Sequence, residues 1–123
     1  MAHKKQNIFR SIGHAWRGVK QVFKTEQSFR IQVVFGALVI ILVVLFPLEA
    51  WERVVILLLV GLVMILELIN SVFERLVDSF RPRLHPVVGE IKDIMAAAVL
   101  IASVFAAIIG LIIFIPHLAL YIN

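Results

Sequence analysis

The 123-residue chain has no cysteine, and three long stretches of it have almost no polar side chain. The first absence rules out disulfides and thiolate metal sites. The four histidines, His3, His14, His85 and His117, are scattered without ligand spacing, which argues against tetrahedral zinc as well. Charge is also scarce: 16% of residues are charged and 62% apolar, where a soluble domain is nearer a quarter and a half. Such a chain is a membrane protein, and its length suits one domain. It lacks a glycine-rich loop and the H-R-D and D-F-G motifs, so a soluble kinase fold is excluded. The segment GHAWRGVK (Gly13–Lys20) imitates a phosphate-cradling loop. However, Val19 stands where the lysine belongs, no strand precedes the segment and no Ser or Thr follows Lys20. The basic N-terminus leads into no compact apolar core with a small-residue cleavage site, so it is read as mature protein.

What the chain has is apolar length. Phe29–Phe46 contains Gln32 and Arg30 as its only strongly polar residues and ends at Pro47; a second run begins at Val54 and continues to about Ser79; Ile94–Ile115 carries no charge and is closed by Pro116. A hydrocarbon core of about 30 Å needs about 20 helical residues, so each run spans once. The first 30 residues differ, with seven Lys/Arg against one acid, Glu26. Ile8, Ile12, Trp16, Val19 and Phe23 recur there at spacings of 3 and 4, one apolar stripe beside a basic surface. That is the pattern of a helix lying in the membrane interface. The expected architecture is all-α and integral to the membrane. An amphipathic surface helix occupies about 5–26, and transmembrane helices occupy about 28–46, 52–79 and 92–115. The loop from Arg75 to Lys92 carries Arg75, Arg81, Arg83 and Lys92, while Pro47–Arg53 has two acids and one base. Positive loops stay in the cytoplasm. The N-terminus and second loop are therefore expected inside and the C-terminus outside, in a bacterial plasma membrane.

The second apolar run contains a contradiction. In LELINSVFERLVDSF (Leu66–Phe80) the residues Glu67, Asn70, Glu74 and Asp78 fall at offsets 0, 3, 7 and 11, all on one face of a helix. Glu67 lies 13 residues beyond Val54, about 20 Å into the core and roughly 10 Å below its cytoplasmic surface. Glu74 and Asp78 reach that surface. An ionisable residue at such depth costs about 2.5–3.5 kcal/mol on insertion scales, so a function is expected of it. A carboxylate stripped of water is a strong base, suited to take a proton from a hydroxyl, and Asn70 one turn on can orient the group. Glu26, Glu74, Asp78 and Asp93 cluster in depth near the interface. Mg²⁺ takes one or two carboxylates plus water and substrate phosphates, and Glu26 and Glu74 are the candidate pair. Lys92 can hold phosphate as a point charge.

The pattern E-x-x-N-[ST]-x-x-E-x-x-x-D, realised as ELINSVFERLVD (Glu67–Asp78), is followed by HPVVGEIKDIMAAAVLIAS (His85–Ser103). Together they resemble the small prokaryotic integral-membrane diacylglycerol kinases, a family that includes the undecaprenol kinases. AWRGVKQVFKTEQSFR (Ala15–Arg30) is similar to the family's surface helix, so the resemblance covers nearly the whole chain. It implies a homotrimer with active sites shared between neighbours, and ATP- and Mg²⁺-dependent phosphorylation of a membrane lipid's hydroxyl. It makes Glu67 the general base, Asn70 a residue at the reacting centre, and Glu26 and Glu74 the metal-binding carboxylates. Lys92, Asp93 and His85 become nucleotide contacts, and His14 occupies a nucleotide-contact position where an aromatic Tyr can occur. Asn7 replaces an Arg found in some members, and Glu90 stands two residues before Lys92. His85–Pro86 and the ending IIGLIIFIPH (Ile108–His117) look more like undecaprenol kinases than diacylglycerol kinases. The alternatives are a small proton-coupled transporter using Glu67, and a structural subunit whose polar face packs on a partner. Glu67 lies nearer the cytoplasm than mid-membrane and three helices show no inverted repeat, which counts against the transporter. The structural subunit gives no reason for Glu26, Lys92 and Asp93 to converge at one depth. Three helices are also expected to leave the polar face incompletely covered, which would favour oligomerisation.

Overall fold

A computed structural model describes residues 2–80 and 86–122, with the side chains of the first helix described from residue 7. These residues form four helices, α1 (Ala2–Thr25), α2 (Gln27–Leu45), α3 (Ala50–Ser79) and α4 (Pro86–Ile122), with no strand among them. His85 lies outside the described residues, as do Arg81 and Arg83. Helices α2, α3 and α4 are each long and apolar enough to cross a membrane. Their outward surfaces agree with that: Phe35, Val44, Leu58, Ile94 and Ile112 are all more than half exposed. In water such a surface would aggregate; in lipid it is the proper contact. The fold class expected from the sequence is the one observed.

The α1 stripe faces away from the protein. Ile8, Ile12, Trp16 and Phe23 are exposed, and among the described side chains of α1 the buried one is Val22, near its end. The stripe is thus free to meet a membrane surface, with Lys20 Nζ 5.7 Å from the Trp16 ring centre. A single extended residue, Glu26 (φ −123°, ψ 118°), separates α1 from α2. Its N–H donates to Val22 O and its carbonyl accepts from Arg30 N, so the break leaves neither group unpaired. Arg30 then folds back, and its Nη1 donates to the carbonyls of Phe23 (2.9 Å) and Lys24 (3.0 Å). A cation on the last carbonyls of a helix complements its dipole as well as satisfying them.

Pro47 ends α2, because the residue before a proline is pushed into extended geometry; Phe46 has φ −82° and ψ 145°. Helix α3 opens with a reciprocal cap between Glu49 and Glu52. Gly36 of α2 allows the close approach to α3: a Cβ there would sit 3.2 Å from Val60 Cγ1 and 3.8 Å from Met64 Sδ. The apolar core lies toward the α2–α3 connection, where Val43, Leu48, Ile56 and Ile113 are buried together and Phe46 meets Phe114 edge-on at 5.4 Å.

Helix α4 departs from the expected bounds at both ends. It begins at Pro86 instead of near residue 92, since proline is well suited to the first helical position. It also continues through Pro116 to Ile122. Pro116 cannot donate to the carbonyl one turn before it, but within a membrane neighbouring groups keep such a helix intact.

Candidate active site

The polar face of α3 meets α2 and the α1–α2 corner, and that junction assembles the site. Glu67 is 4% exposed. Ser28 Oγ donates to its Oε1 at 2.7 Å, and Gln32 Nε2 donates to its Oε2 at 3.3 Å. Ser28 and Gln32 sit one turn apart on α2, so one face of that helix reaches both carboxylate oxygens. Above Glu67, Asn70 is 8% exposed and its Nδ2 lies 3.4 Å from Glu74 Oε1. Ser71, 1% exposed, donates its hydroxyl to Glu26 Oε2 at 2.5 Å. Arg75 donates to Glu26 Oε1 at 3.1 Å and to Thr25 Oγ1 at 2.9 Å. Glu26, placed at the one-residue joint, is therefore pinned to α3 through both oxygens.

Hydrogen bonds tie Glu26 to Ser71 and Asn70 to Glu74, on the helix face that also carries Glu67. Among the described residues the structure does not bring in Lys92, Asp93 or His14. Lys92 Nζ pairs with Asp78 Oδ1 at 3.3 Å, one turn beyond Glu74. Asp93 is exposed on α4, and His14 is exposed on α1 well before the joint. The expected incomplete cover of the polar face holds only for its upper half. A single chain buries Glu67 and Asn70, because α2 supplies Ser28 and Gln32 as lining; Glu74 is half-buried and Asp78 exposed. Among the described residues no three of His, Cys, Asp and Glu gather as a metal cage.

Ser28, Gln32, Ser71 and Arg75 were not singled out from the sequence. Ser71 and Arg75 lie four and eight residues past Glu67, so helical spacing alone would have placed them on its face. For Ser28 and Gln32 the signal was weaker, a polar pair at the start of an apolar run. A second polar cluster sits at the other end of the bundle: His117 Nε2 is 3.2 Å from both oxygens of Glu52, and Trp51 Nε1 donates to Glu49 at 2.6 Å.

Residues 13–114 match the family described as prokaryotic diacylglycerol kinase. The chain belongs to that family. It is 37% identical over 111 residues to an undecaprenol kinase of Bacillus subtilis, with 90% of each chain covered. It is 34% identical over 110 residues to a diacylglycerol kinase of Escherichia coli, covering 89% of this chain and 90% of the relative. A diacylglycerol kinase of Synechocystis sp. is 39% identical over 113 residues, 91% of this chain and 65% of the relative. Membership makes the protein an integral-membrane lipid kinase, an enzyme that transfers phosphate to an alcohol, and it decides against the transporter and the structural subunit.

Proposed function

We propose that this kinase phosphorylates the hydroxyl of undecaprenol in preference to diacylglycerol, with ATP as phosphate donor, Mg²⁺ as companion ion and Glu67 as general base. The observation that carries the proposal is the Glu67 carboxylate, buried and held by Ser28 and Gln32 at the foot of a polar face. From there it takes the proton of a lipid hydroxyl. The freed oxygen forms a bond to the γ-phosphorus as the bond to the ADP oxygen breaks. Asn70, one turn above, orients the reacting oxygens. Phosphoryl transfer asks chiefly for positioning and charge neutralisation, so a small set of residues suffices.

Glu26 and Glu74 suit Mg²⁺. They are two hard oxygen donors, Glu26 on Ser71 and Glu74 beside Asn70, and among the described residues no set of three acidic or histidine side chains forms a cage. That is the donor set of an ion that arrives with phosphates and keeps its waters. When bound, the ion neutralises charge on the phosphate oxygens. Arg75, now on Glu26, and Lys92, now on Asp78, are the nearby cations that can turn toward phosphate. Asp93, His85 and His14 complete the proposed nucleotide contacts. The preference for undecaprenol is supported by His85–Pro86, by the ending Ile108–His117 and by the similarity to the Bacillus subtilis enzyme. The orientation places the N-terminus in the cytoplasm and the C-terminus outside, and the working form is a homotrimer with sites shared between neighbours.

The test is ATP-dependent phosphate transfer to undecaprenol and to diacylglycerol, measured in parallel on the purified protein. A positioned general base contributes about 10²–10⁴-fold, so Glu67→Gln is expected to lose that much kcat. The wild type is expected to require Mg²⁺ and to favour undecaprenol. Equal rates in wild type and Glu67→Gln would remove the base from the mechanism, and faster transfer to diacylglycerol would reverse the lipid preference.

A further inference from the structure

The carboxylates of the polar site differ in what holds them. Glu26 carries the guanidinium of Arg75 at 3.1 Å, and Asp78 the ammonium of Lys92 at 3.3 Å. Arginine and lysine side chains donate and never accept, so each suits a carboxylate that stays ionised. Glu67 is held otherwise. Among the described residues its carboxylate oxygens meet the Ser28 hydroxyl at 2.7 Å and the Gln32 amide at 3.3 Å, and no Lys, Arg or His is paired with it. A hydroxyl and a primary amide each contain both a donor and an acceptor. Gln32 directs its N–H to Glu67, because an ionised carboxylate only accepts. Its carbonyl oxygen is then buried without a hydrogen-bond partner. An orphaned acceptor costs stability, and one placed on the amide that touches the base calls for a reason.

We propose that Gln32 is a positioning residue that follows the proton: it donates to Glu67 while the carboxylate is ionised, and turns its amide to accept from Glu67 once the base has taken the lipid proton. The inference rests on the general-base role proposed above and deepens it. In the transfer the lipid O–H bond breaks and its proton goes to Glu67 Oε2. The electron pair left on the lipid oxygen forms the bond to the γ-phosphorus, and ADP leaves with the electrons of the bond that breaks. The new acid O–H would then face the Gln32 N–H, donor against donor. Half a turn about the Cγ–Cδ bond exchanges the amide oxygen and nitrogen in nearly the same space, and the acid proton gains the acceptor that had none. One end of the amide is orphaned in either orientation, so the turn adds no unpaired group. Release of the proton to water reverses it. The two contacts divide the task by length. The 2.7 Å bond from Ser28 keeps the carboxylate in place and needs only its hydroxyl to rotate. The Gln32 contact, at 3.3 Å, is longer than an ordinary N–H···O bond and is the one free to break and re-form.

Two substitutions separate the roles of the amide. Gln32→Met keeps the size of the side chain and removes donor and acceptor, while Gln32→Lys supplies a donor that cannot accept. Both are expected to lower kcat about tenfold or more and to leave KM for ATP within about twofold of wild type. The ratio of kcat in H₂O to kcat in D₂O should rise in both, because proton transfer to a base without a matching partner becomes the slow step. Infrared difference spectra of the wild type between neutral and acidic pH need neither turnover nor a folded variant at position 32. The carboxylic-acid band of Glu67, identified by its loss in Glu67→Gln, should appear together with a shift of a side-chain amide carbonyl band, assigned to Gln32 by isotopic labelling of glutamine. An acid band with no change in that amide band overturns the proposal. So does a lower kcat in Gln32→Met with the isotope ratio of wild type, which would assign Gln32 to packing alone. If wild type and Glu67→Gln transfer phosphate equally, the general-base role fails, while the infrared result still decides whether the amide follows a proton on Glu67.

Discussion

Glu67 keeps both carboxylate oxygens inside a membrane helix because two side chains of another helix reach them. Serine and glutamine are the economical choice there: each supplies a donor without adding a charge that would itself need solvating. A hydrogen bond to a charged group is worth about 1.5–3 kcal/mol. Removing the Ser28 hydroxyl, at 2.7 Å the shorter of the two contacts, frees the carboxylate to rotate away from the acceptor. Ser28→Ala is accordingly expected to lower kcat about tenfold or more and leave KM for ATP unchanged, as read by steady-state kinetics at saturating lipid. An unaltered kcat would show that Gln32 alone positions the base. At this scale the acids were legible in the sequence and their partners were not. A Glu in an apolar run violates the pattern around it and draws notice. Ser28 sits where a helix begins and polar residues are ordinary, so only the fold, which lays α2 against α3, reveals what it touches.

Among the elements, the breaks before α2 and α3 were easier to read than either end of α4. The break at Glu26 and the stop at Pro47 follow from local chemistry, the first from the end of the basic amphipathic pattern and the second from the restriction proline places on Phe46. Pro116 carried the same stop signal and was overridden. The segment beyond it is held by side chains: His117 reaches Glu52 on α3, and Tyr121 lies 6.2 Å from Phe46. No periodicity could have shown this, because the partner is 65 residues away in sequence. His117→Ala is expected to lower the thermal midpoint of the detergent-solubilised protein by several degrees, with less effect in an Glu52→Gln background, since the partner left behind is then uncharged. Equal losses in both backgrounds would mean that the contact contributes nothing and that packing near Pro116 explains the effect.

Over the whole molecule, membrane insertion was legible from composition alone, because a chain with so few charges has no other solvent. The enclosure of the site was less legible. Glu67 and Asn70 are covered within one chain, while Glu74 is half-buried and Asp78 exposed on the same face, which is where a neighbour would complete a shared site. The homotrimer proposed above predicts a protein mass three times the 13.9 kDa of the chain once bound detergent is subtracted, measurable by light scattering. It also predicts that mixing inactive Glu67→Gln with an inactive Asp93→Asn variant, altered at a residue that one chain does not bring to its own site, restores part of the activity. A fully active particle of one-chain mass would contradict both.

The joint at Glu26 has a consequence for how this chain tolerates change. Connections between helices are usually slack and absorb insertions; this one is a single residue with its N–H and its carbonyl both engaged. Adding or deleting one residue there would turn all of α2 by about 100° about its own axis relative to α1. If Glu26 stayed on Ser71, then Ser28 and Gln32 would swing off Glu67; if those two stayed, Glu26 would leave. The corner therefore behaves like meshed gear teeth. A tooth can be reshaped by substitution, but the count cannot change by one, and variation in chain length has to be taken up elsewhere.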